Sequence, residues 1–320
     1  MINVNKITKT YYIHDNNKFF SMFSTKKSQI NALQEISFNI EDGEMVGYIG
    51  PNGSGKSTTI KILSGILYPD SGYCKVNGMV PWKDRKKYVK NIGVVFGQRS
   101  QLWWDLPIKE SFKLLKEIYN VPNNEYQKNL NLLVDMLDIS KLLNSPTRQL
   151  SLGERMRCEI ACALLHSPDI LFLDEPTIGL DAVSKKAVRH FIKELNKERK
   201  ITMLLTTHDM QDIDILTDRI IFIGKGKILY DGSKEKLDNL YQEKKVIIKC
   251  CGSNLIDLYG VEIVRENCKD NEFIIIIDTR IIDPQTVIRK LLRHAVILDI
   301  TIKKLSTEEI VLKMYKEFHV

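Results

Sequence analysis

The chain has 320 residues, enough for one large domain and a smaller one. Hydrophobic residues make up 43% and charged residues 27%, as in ordinary globular proteins, and no apolar run approaches the roughly 20 residues that a membrane-spanning helix needs. The composition therefore excludes a chain that itself crosses the membrane. The net charge of +7 is compatible with three anionic partners, namely nucleotide phosphate, nucleic acid and an anionic membrane face.

The N-terminus and the cysteines indicate the compartment. The opening MINVNKITKT lacks the apolar segment of a secretory signal, so we expect the protein to stay where it is made. Six cysteines fit a reducing compartment, because neither Cys158 with Cys162 nor Cys250 with Cys251 has the spacing of a zinc knuckle or a redox pair.

The first motif with a chemical meaning is a phosphate-binding loop. An apolar strand over 45–49 runs into Gly50–Ser57, which fits G-x-x-x-x-G-K-[ST] without a mismatch. A helical pattern that extends to Leu67 follows, before YPDSG breaks it. Glycines let backbone N–H groups point at phosphate oxygens, the side chain of Lys56 bridges the outer phosphates, and the Ser57 hydroxyl is a magnesium ligand.

Three further apolar segments each run into a polar residue. Open parallel α/β sheets place their ligand chemistry at the carboxyl ends of strands, so we expect these polar residues to share one edge of a sheet. The segments cover 92–96, 170–173 and 203–207.

The residues after these segments predict the chemistry of the site. Gln98 either ligates magnesium or senses the γ-phosphate. Asp174 holds magnesium, and Glu175 is the general base that deprotonates the attacking water. His208 reaches the γ-phosphate as a hydrogen-bond donor. Adjacent acids can also form a solvated turn and a lone histidine is more often structural, but four apolar residues precede the acids, as a buried strand needs.

The stretch LSLGERMR predicts a capped helix. Ser151 serves as the cap, Gly153 and Glu154 open the first turn, and apolar residues follow at helical spacing. Alone it would indicate only a surface helix.

With GPNGSGKST, LSLGER, ILFLDEP, GLDA and TTH in order, residues 1–240 resemble the nucleotide-binding subunits of ABC transporters. The resemblance implies an α/β fold, a P-loop NTPase core of the ABC type with an antiparallel β subdomain and a helical subdomain at about 99–165. It also implies a head-to-tail homodimer, in which Ser151 and the Gly153 N–H face the γ-phosphate held by the phosphate loop of the second subunit.

The same resemblance assigns residues by role. The catalytic residues are Glu175, the switch histidine His208 and the Q-loop residue Gln98; the magnesium ligands are Ser57, Gln98 and Asp174. ATP is expected because no N-K-x-D stretch for guanine occurs. The expected nucleotide-binding residues are Tyr11 (with Tyr12 as the alternate adenine-stacking residue), Gly50, Pro51, Asn52, Gly53, Ser54, Gly55, Lys56, Ser57, Thr58, Ser151, Gly153 and Asp181.

Two departures from the family pattern stand out. Leu152 and Glu154 replace the second small residue and the glutamine of Leu-Ser-Gly-Gly-Gln; neither is expected to donate to phosphate, so we expect function to survive. The connection between Tyr11 and Ile30 is also longer than usual. Its aromatic and basic patch either lies against anionic lipid or permease loops, or packs on the body of the protein as a hairpin; it comprises Lys18, Phe19, Phe20, Met22, Phe23, Lys26 and Lys27.

A tryptophan pair follows Gln98 in RSQLWWDLP. In related ATPases this junction receives the coupling helix of the membrane partner, and tryptophan is favoured as an interface anchor. We therefore expect Trp103 and Trp104 to dock that helix; the alternative is that one or both fill the core of the helical subdomain.

The last part, 241–320, has no catalytic constellation. Strand-like runs cover 246–249, 273–277 and 296–302. Asp283-Pro284 starts a helix, and Ser306 with Glu309 makes a capping box for another. We expect a small α+β domain with a regulatory or dimerisation role.

These observations predict the cytoplasmic ATPase subunit of a bacterial-type exporter, peripheral on the inner face of the cell membrane, with a separately encoded multi-span permease. The alternative is a soluble ABC ATPase that acts on ribosomes or nucleic acid. Such proteins usually carry two cassettes or a long coiled coil, whereas this sequence has one phosphate loop and no heptad stretch, so no nucleic acid is expected. Vestigial hydrolysis is disfavoured because the set of Lys56, Gln98, Glu175 and His208 is complete.

Overall fold

The computed structural model describes residues 1–14, 27–97, 99–251, 261–264, 272–293 and 296–318. They form two compact units, Met1–Gly232 and Ser233–His319. The strands are β1 (Ile2–His14), β2 (Lys27–Ile40), β3 (Met45–Ile49), β4 (Ser71–Val76), β5 (Ile92–Phe96), β6 (Ile170–Asp174), β7 (Thr202–Thr206), β8 (Arg219–Gly224), β9 (Lys227–Ser233), β10 (Glu243–Cys251), β11 (Val261–Val264), β12 (Glu272–Asp278) and β13 (Val296–Lys304). The helices are α1 (Lys56–Leu63), α2 (Arg85–Tyr88), α3 (Ile108–Tyr119), α4 (Asn123–Leu137), α5 (Leu152–Leu164), α6 (Ala182–Arg199), α7 (Met210–Leu216), α8 (Lys234–Leu240), α9 (Pro284–Leu291) and α10 (Thr307–Glu317).

The largest sheet belongs to the first unit and has the strand order β5, β6, β7, β3, β8, β9. The pairs from β5 through β8 are parallel. Strand β3 reads MVGYI and is buried along its whole length, because a parallel strand is covered on both faces. Since these strands run in one direction, the loops after β3, β5, β6 and β7 leave from the same edge of the sheet.

A second sheet of the first unit is antiparallel, in the order β2, β1, β4. Its apolar face packs against the parallel sheet and α1 in one core, whose buried members include Ile2, Ile36, Tyr48, Ile60 and Phe172. This is the antiparallel subdomain that the family resemblance implies.

Helix α1 is shorter than its apolar pattern predicted. The pattern extends to Leu67, but the helix ends at Leu63 with Ser64 as its C-cap. Gly65 follows with a φ of 70°, a left-handed conformation that ends helices and that glycine adopts at little cost.

Helices α3, α4 and α5 form a helical subdomain around a shared core that includes Phe112, Leu133 and Ile160. Helices α3 and α4 end at Asn120 and Asp138, which have left-handed backbones with φ of 53° and 48°. The cysteines of α5 are buried in the same core.

The tryptophan pair lies outside this core. Trp103 is 40% exposed and Trp104 is 55% exposed. The alternative in which these side chains fill the subdomain core is therefore wrong, because both remain accessible at the surface.

The second unit has an antiparallel sheet in the order β11, β12, β10, β13. Its core includes Val246, Ile275, Val287 and Leu291. The three predicted strands are present with longer bounds, whereas β11 was not predicted because its four residues are too few to show an alternating pattern.

Two helices of the second unit, α9 and α10, begin where their caps predicted. The Asp283 carboxylate accepts a hydrogen bond of 3.2 Å from the Thr286 N–H at the start of α9. Ser306 and Glu309 form the predicted capping box of α10.

Two features bear on a membrane partner. Among the described residues no helix is long and apolar enough to cross a bilayer. The aromatic and basic patch falls almost wholly within 15–26, outside the described residues.

Candidate nucleotide site

The phosphate loop joins β3 to α1 through glycines that other residues could not replace. Gly55 has a φ of 113°, and a Cβ there would lie 2.6 Å from the carbonyl oxygen of Ala32. A Cβ on Gly50 would lie 2.2 Å from the carbonyl oxygen of Ile223. Backbone therefore passes too close to both positions for any side chain, so the loop needs glycine there.

Lys56 lies buried beneath this loop, with 5% of its surface exposed. Its Nζ donates hydrogen bonds to the carbonyl oxygens of Gly50, at 2.7 Å, and Pro51, at 3.0 Å. Burial lowers the pKa of the ammonium group, and the nearby carboxylates of Glu175 and Asp174 partly oppose this shift. Phosphate oxygens in the loop would further favour the charged form.

The oxygens expected to hold magnesium lie together. The Ser57 hydroxyl is 3.4 Å from Asp174 Oδ1, which also accepts a 2.6 Å hydrogen bond from the Thr206 hydroxyl. The described residues contain no group of three His, Cys, Asp or Glu that could hold a metal by itself. This donor set fits Mg²⁺, which protein sites usually bind through one or two side chains together with substrate phosphates.

Glu175 and His208 meet at the ends of β6 and β7. His208 Nε2 lies 2.5 Å from Glu175 Oε1. Glu175 has a left-handed backbone with a φ of 56°, and its N–H donates to the carbonyl oxygen of Thr206, at 3.0 Å, and to the Thr206 hydroxyl, at 3.1 Å. The two side chains predicted to act on the γ-phosphate and on water are therefore in contact with each other.

These groups open onto a cleft of about 490 Å³, within the usual range for small-ligand sites. Buried beside it, the Ser54 hydroxyl has no hydrogen-bond partner among the described residues, as expected where a ligand completes the bonding. The cleft is lined by Asn52, Ser57, Lys61, Ile66, Phe96, Gly97, Arg99, Asp174, Glu175, Ile178 and His208.

Other predicted residues lie elsewhere. Gln98 is outside the described residues, although both of its neighbours line the cleft. Tyr11 is exposed on β1 opposite Ile30 and does not line the cleft within the described part of the chain; Tyr12 is exposed too.

The segment LSLGER, here called the signature segment, also contributes no residue to the described cleft lining. Ser151 caps α5 and accepts a hydrogen bond from the Glu154 N–H. Gly153 packs against α6, where a Cβ would lie 2.3 Å from the Ser184 hydroxyl. Asp181 caps α6 by accepting from the N–H groups of Val183 and Ser184. The start of α5 and the start of α6, which Asp181 caps, thus meet within one chain.

A buried ionic network, which the sequence did not reveal, holds His208. Asp212 is fully buried and accepts hydrogen bonds from Arg189 Nε, at 2.5 Å, and the Thr207 hydroxyl, at 2.6 Å. Arg189 also donates to Asp209, at 2.9 Å. Because these partners flank His208 on both sides, the network fixes the segment that carries the histidine.

A phosphate loop facing two acids and a histidine at the carboxyl edge of a parallel sheet defines a P-loop nucleoside triphosphatase. The family model described as ABC transporter matches residues 33–178. "ABC transporter ATP-binding protein NatA" of Bacillus subtilis (strain 168) is 33% identical over 223 residues, which cover 70% of this chain and 89% of the relative. The chain therefore belongs to the ATP-binding proteins of ABC transporters, and it is an ABC-type ATPase.

Two further similarities agree. "Linearmycin resistance ATP-binding protein LnrL" of the same organism is 34% identical over 205 residues, which cover 64% of this chain and 65% of that protein. The dimeric post-hydrolysis structure of the ATP-binding cassette MJ0796, bound to ADP and Pi, superposes with a TM-score of 0.61 at 27% identity. It covers 73% of this chain and 98% of that one. The predicted family and fold class are confirmed.

Glu154, the acid that departs from the family pattern, is hydrogen-bonded to the hydroxyl of Ser151, the serine of the signature segment. Ser151 Oγ donates to Glu154 Oε2 at 2.8 Å, and the Ser151 N–H donates to the same oxygen at 2.9 Å. These hydrogen bonds, from the backbone and then the hydroxyl, hold the pKa of Glu154 below its usual value, so the group is charged at neutral pH. Ser151 must leave this carboxylate to reach a phosphate.

We expect Glu154→Gln to lower the ATP concentration for half-maximal turnover. Glutamine also completes a capping box, so the helix keeps its cap while the negative charge is removed. A negative charge at a helix N-terminus is stabilised by about 0.3–1 kcal/mol, and removing the Glu154 charge leaves this interaction to the phosphate. This free energy corresponds to roughly a two- to fivefold decrease in the ATP concentration for half-maximal turnover. ATP turnover measured against ATP concentration tests this. Glu309→Gln makes the matched change in the capping box of α10 and should have no effect; an unchanged value for Glu154→Gln would contradict the prediction.

We expect Arg189→Met to destabilise the first unit by about 3–5 kcal/mol, because it leaves the Asp212 carboxylate buried without its cation. Urea unfolding followed by tryptophan fluorescence reports this unit, since the three tryptophans of the chain all lie in it. Lys193→Met, on the exposed side of α6, is the control and should change stability by no more than about 0.5 kcal/mol. Equal stability of the two variants would show that the network contributes nothing.

Proposed function

We propose that the chain is the ATP-hydrolysing subunit of an ABC exporter, and that ATP drives closure of a homodimer. Its permease is a separate multi-span protein, and the ATPase lies against the inner face of the cell membrane. One observation carries the proposal. Asn52 and Ser57 of the phosphate loop line the cleft together with Glu175 and His208, whereas Ser151 and Gly153 are not among its described lining residues. A second copy, arranged head to tail, supplies these two groups.

Similar proteins support two parts of this proposal, the dimer and the export. The related MJ0796 cassette is dimeric with ADP and Pi bound, which favours a dimer as the hydrolysing form. A relative named for linearmycin resistance favours export, because a cell resists a toxic compound by keeping it outside.

In the closed dimer Glu175 accepts a proton from the attacking water, while the water oxygen bonds to the γ-phosphorus and the bond to the bridging oxygen of ADP breaks. The contact with His208 restricts the positions of the Glu175 carboxylate. Lys56 and the loop amides hold the phosphates. Ser57 and Asp174 would hold magnesium, which would offset the negative charge of the phosphates. Most of the rate enhancement then comes from positioning and charge stabilisation.

We expect Glu175→Gln to bind ATP but to hydrolyse it about 10²–10⁴-fold more slowly, the usual contribution of a general base. The variant should accumulate as a dimer, which light scattering after size-exclusion chromatography would detect. Lys56→Ala serves as the comparison, because it should lose nucleotide affinity and stay monomeric. If Glu175→Gln hydrolysed ATP at the parent rate, Glu175 would not be the base.

We expect the double variant Trp103→Ala Trp104→Ala to lose its membrane partner but not its own ATP turnover, because both side chains are exposed and neither lines the described cleft. The tagged chain would be isolated from native membranes in mild detergent, with the multi-span protein quantified by mass spectrometry. Tyr68→Ala removes another exposed aromatic side chain and is the control. Undiminished recovery of the partner with the double variant would exclude docking through the tryptophans. Recovery of ribosomes or nucleic acid instead would favour the soluble alternative.

A further inference from the structure

The segment 99–107, here called the tryptophan loop, is fixed by a buried carboxylate of the signature helix. Glu159 lies on α5 with only 3% of its surface exposed. Its Oε1 accepts hydrogen bonds from the Ser100 hydroxyl and from the Gln101 N–H, at 3.1 Å, and its Oε2 lies 3.0 Å from the same N–H. A buried carboxylate is costly unless it is fully hydrogen-bonded, so these donors are held firmly.

The other half of the tryptophan loop is bonded to the residues that lead into the signature. The Thr147 hydroxyl donates to the carbonyl oxygen of Trp103 at 2.9 Å, and the Arg148 N–H donates to that of Trp104 at 3.1 Å. Thr147 is itself buried and opens a 3₁₀ turn that ends at Gln149, two residues before Ser151.

The tryptophan loop is therefore held from two places that flank Ser151 in the chain. Glu159 holds it from the middle of α5, and the 3₁₀ turn before Ser151 holds it from the other side. Backbone groups make most of these bonds, so the exposed side chains of Trp103 and Trp104 stay available to a partner. A displacement of the backbone at Trp103 and Trp104 therefore either moves the segment that leads into Ser151 or breaks these hydrogen bonds.

We propose that Glu159 is a positioning residue that couples the tryptophan loop to the signature serine, so that closure of the dimer on ATP is transmitted to Trp103 and Trp104. This inference rests on the proposed ATP-driven closure. The coupling also runs in the opposite direction, because a partner that biases the position of the loop biases the closure of the dimer by the same free energy.

Tryptophan fluorescence can test the coupling without the permease. The chain has three tryptophans, so Trp82→Phe leaves only the pair in the loop. Glu175→Gln is added to prevent hydrolysis. The measurement is the change in emission on adding Mg-ATP at a concentration that makes the protein fully dimeric by light scattering.

In this background we expect ATP to shift the tryptophan emission, and we expect Glu159→Gln to abolish most of the shift while the protein remains folded and still dimerises. Glutamine has the same size but presents an NH₂ group to one of the donors. Thr147→Val, which is isosteric, removes the bond on the other side and should also reduce the shift. Glu125→Gln, an exposed acid on α4, is the matched control and should keep it.

The outcomes separate the two proposals. A dimeric Glu159→Gln protein with the full emission shift would overturn the role of Glu159, and a parent that dimerises without any shift would overturn the coupling while the proposed function stands. A parent that binds ATP without dimerising would contradict the proposed function, and the coupling that depends on it would fail too.

Discussion

The parallel pairing of β6 with β7 determines the geometry of the whole cleft. It sets Asp174 opposite Thr206, whose hydroxyl donates to Asp174 and accepts from the Glu175 N–H. One threonine thereby orients two adjacent acids with different roles. The same register brings His208, two residues farther on, to Glu175. Since a slip of one residue turns every side chain of a strand to the opposite face, any other pairing would separate Asp174 and Glu175 from Thr206 and His208.

The sequence predicted those parts of the site that lie next to a buried strand. The phosphate loop, the two acids and His208 each follow an apolar run, so their place at one sheet edge could be deduced from local pattern alone. The fold class and family were predicted from the order of the motifs and are confirmed. The caps Ser151, Asp283 and Ser306 were also found, because a cap acts within a few residues of its own position.

Features that depend on residues far apart in the chain could not be predicted. Glu159 lies 58 residues from the Gln101 N–H that it binds, and nothing nearby distinguishes it from a surface acid. Likewise, no local sequence pattern indicates the ion pair between Arg189 and Asp212. Helix α1 ends before its apolar pattern does because backbone conformation, not hydrophobicity, terminates it. The chemical roles of all the predicted site residues, Gln98 and Tyr11 among them, and the use of a second copy remain predictions.

The left-handed backbone of Glu175 has a consequence for how the ATPase is controlled. A non-glycine residue in this region costs of the order of 1–3 kcal/mol and persists only where its surroundings enforce it. Here two hydrogen bonds to Thr206 enforce it, so the proposed base is preorganised and the free energy needed to order it is spent when the chain folds. ATP binding then need not create this conformation of Glu175. In the proposed dimer, access to Ser151 is what distinguishes the active form from the single chain, which makes assembly, rather than local rearrangement of the acids, the step at which hydrolysis can be regulated.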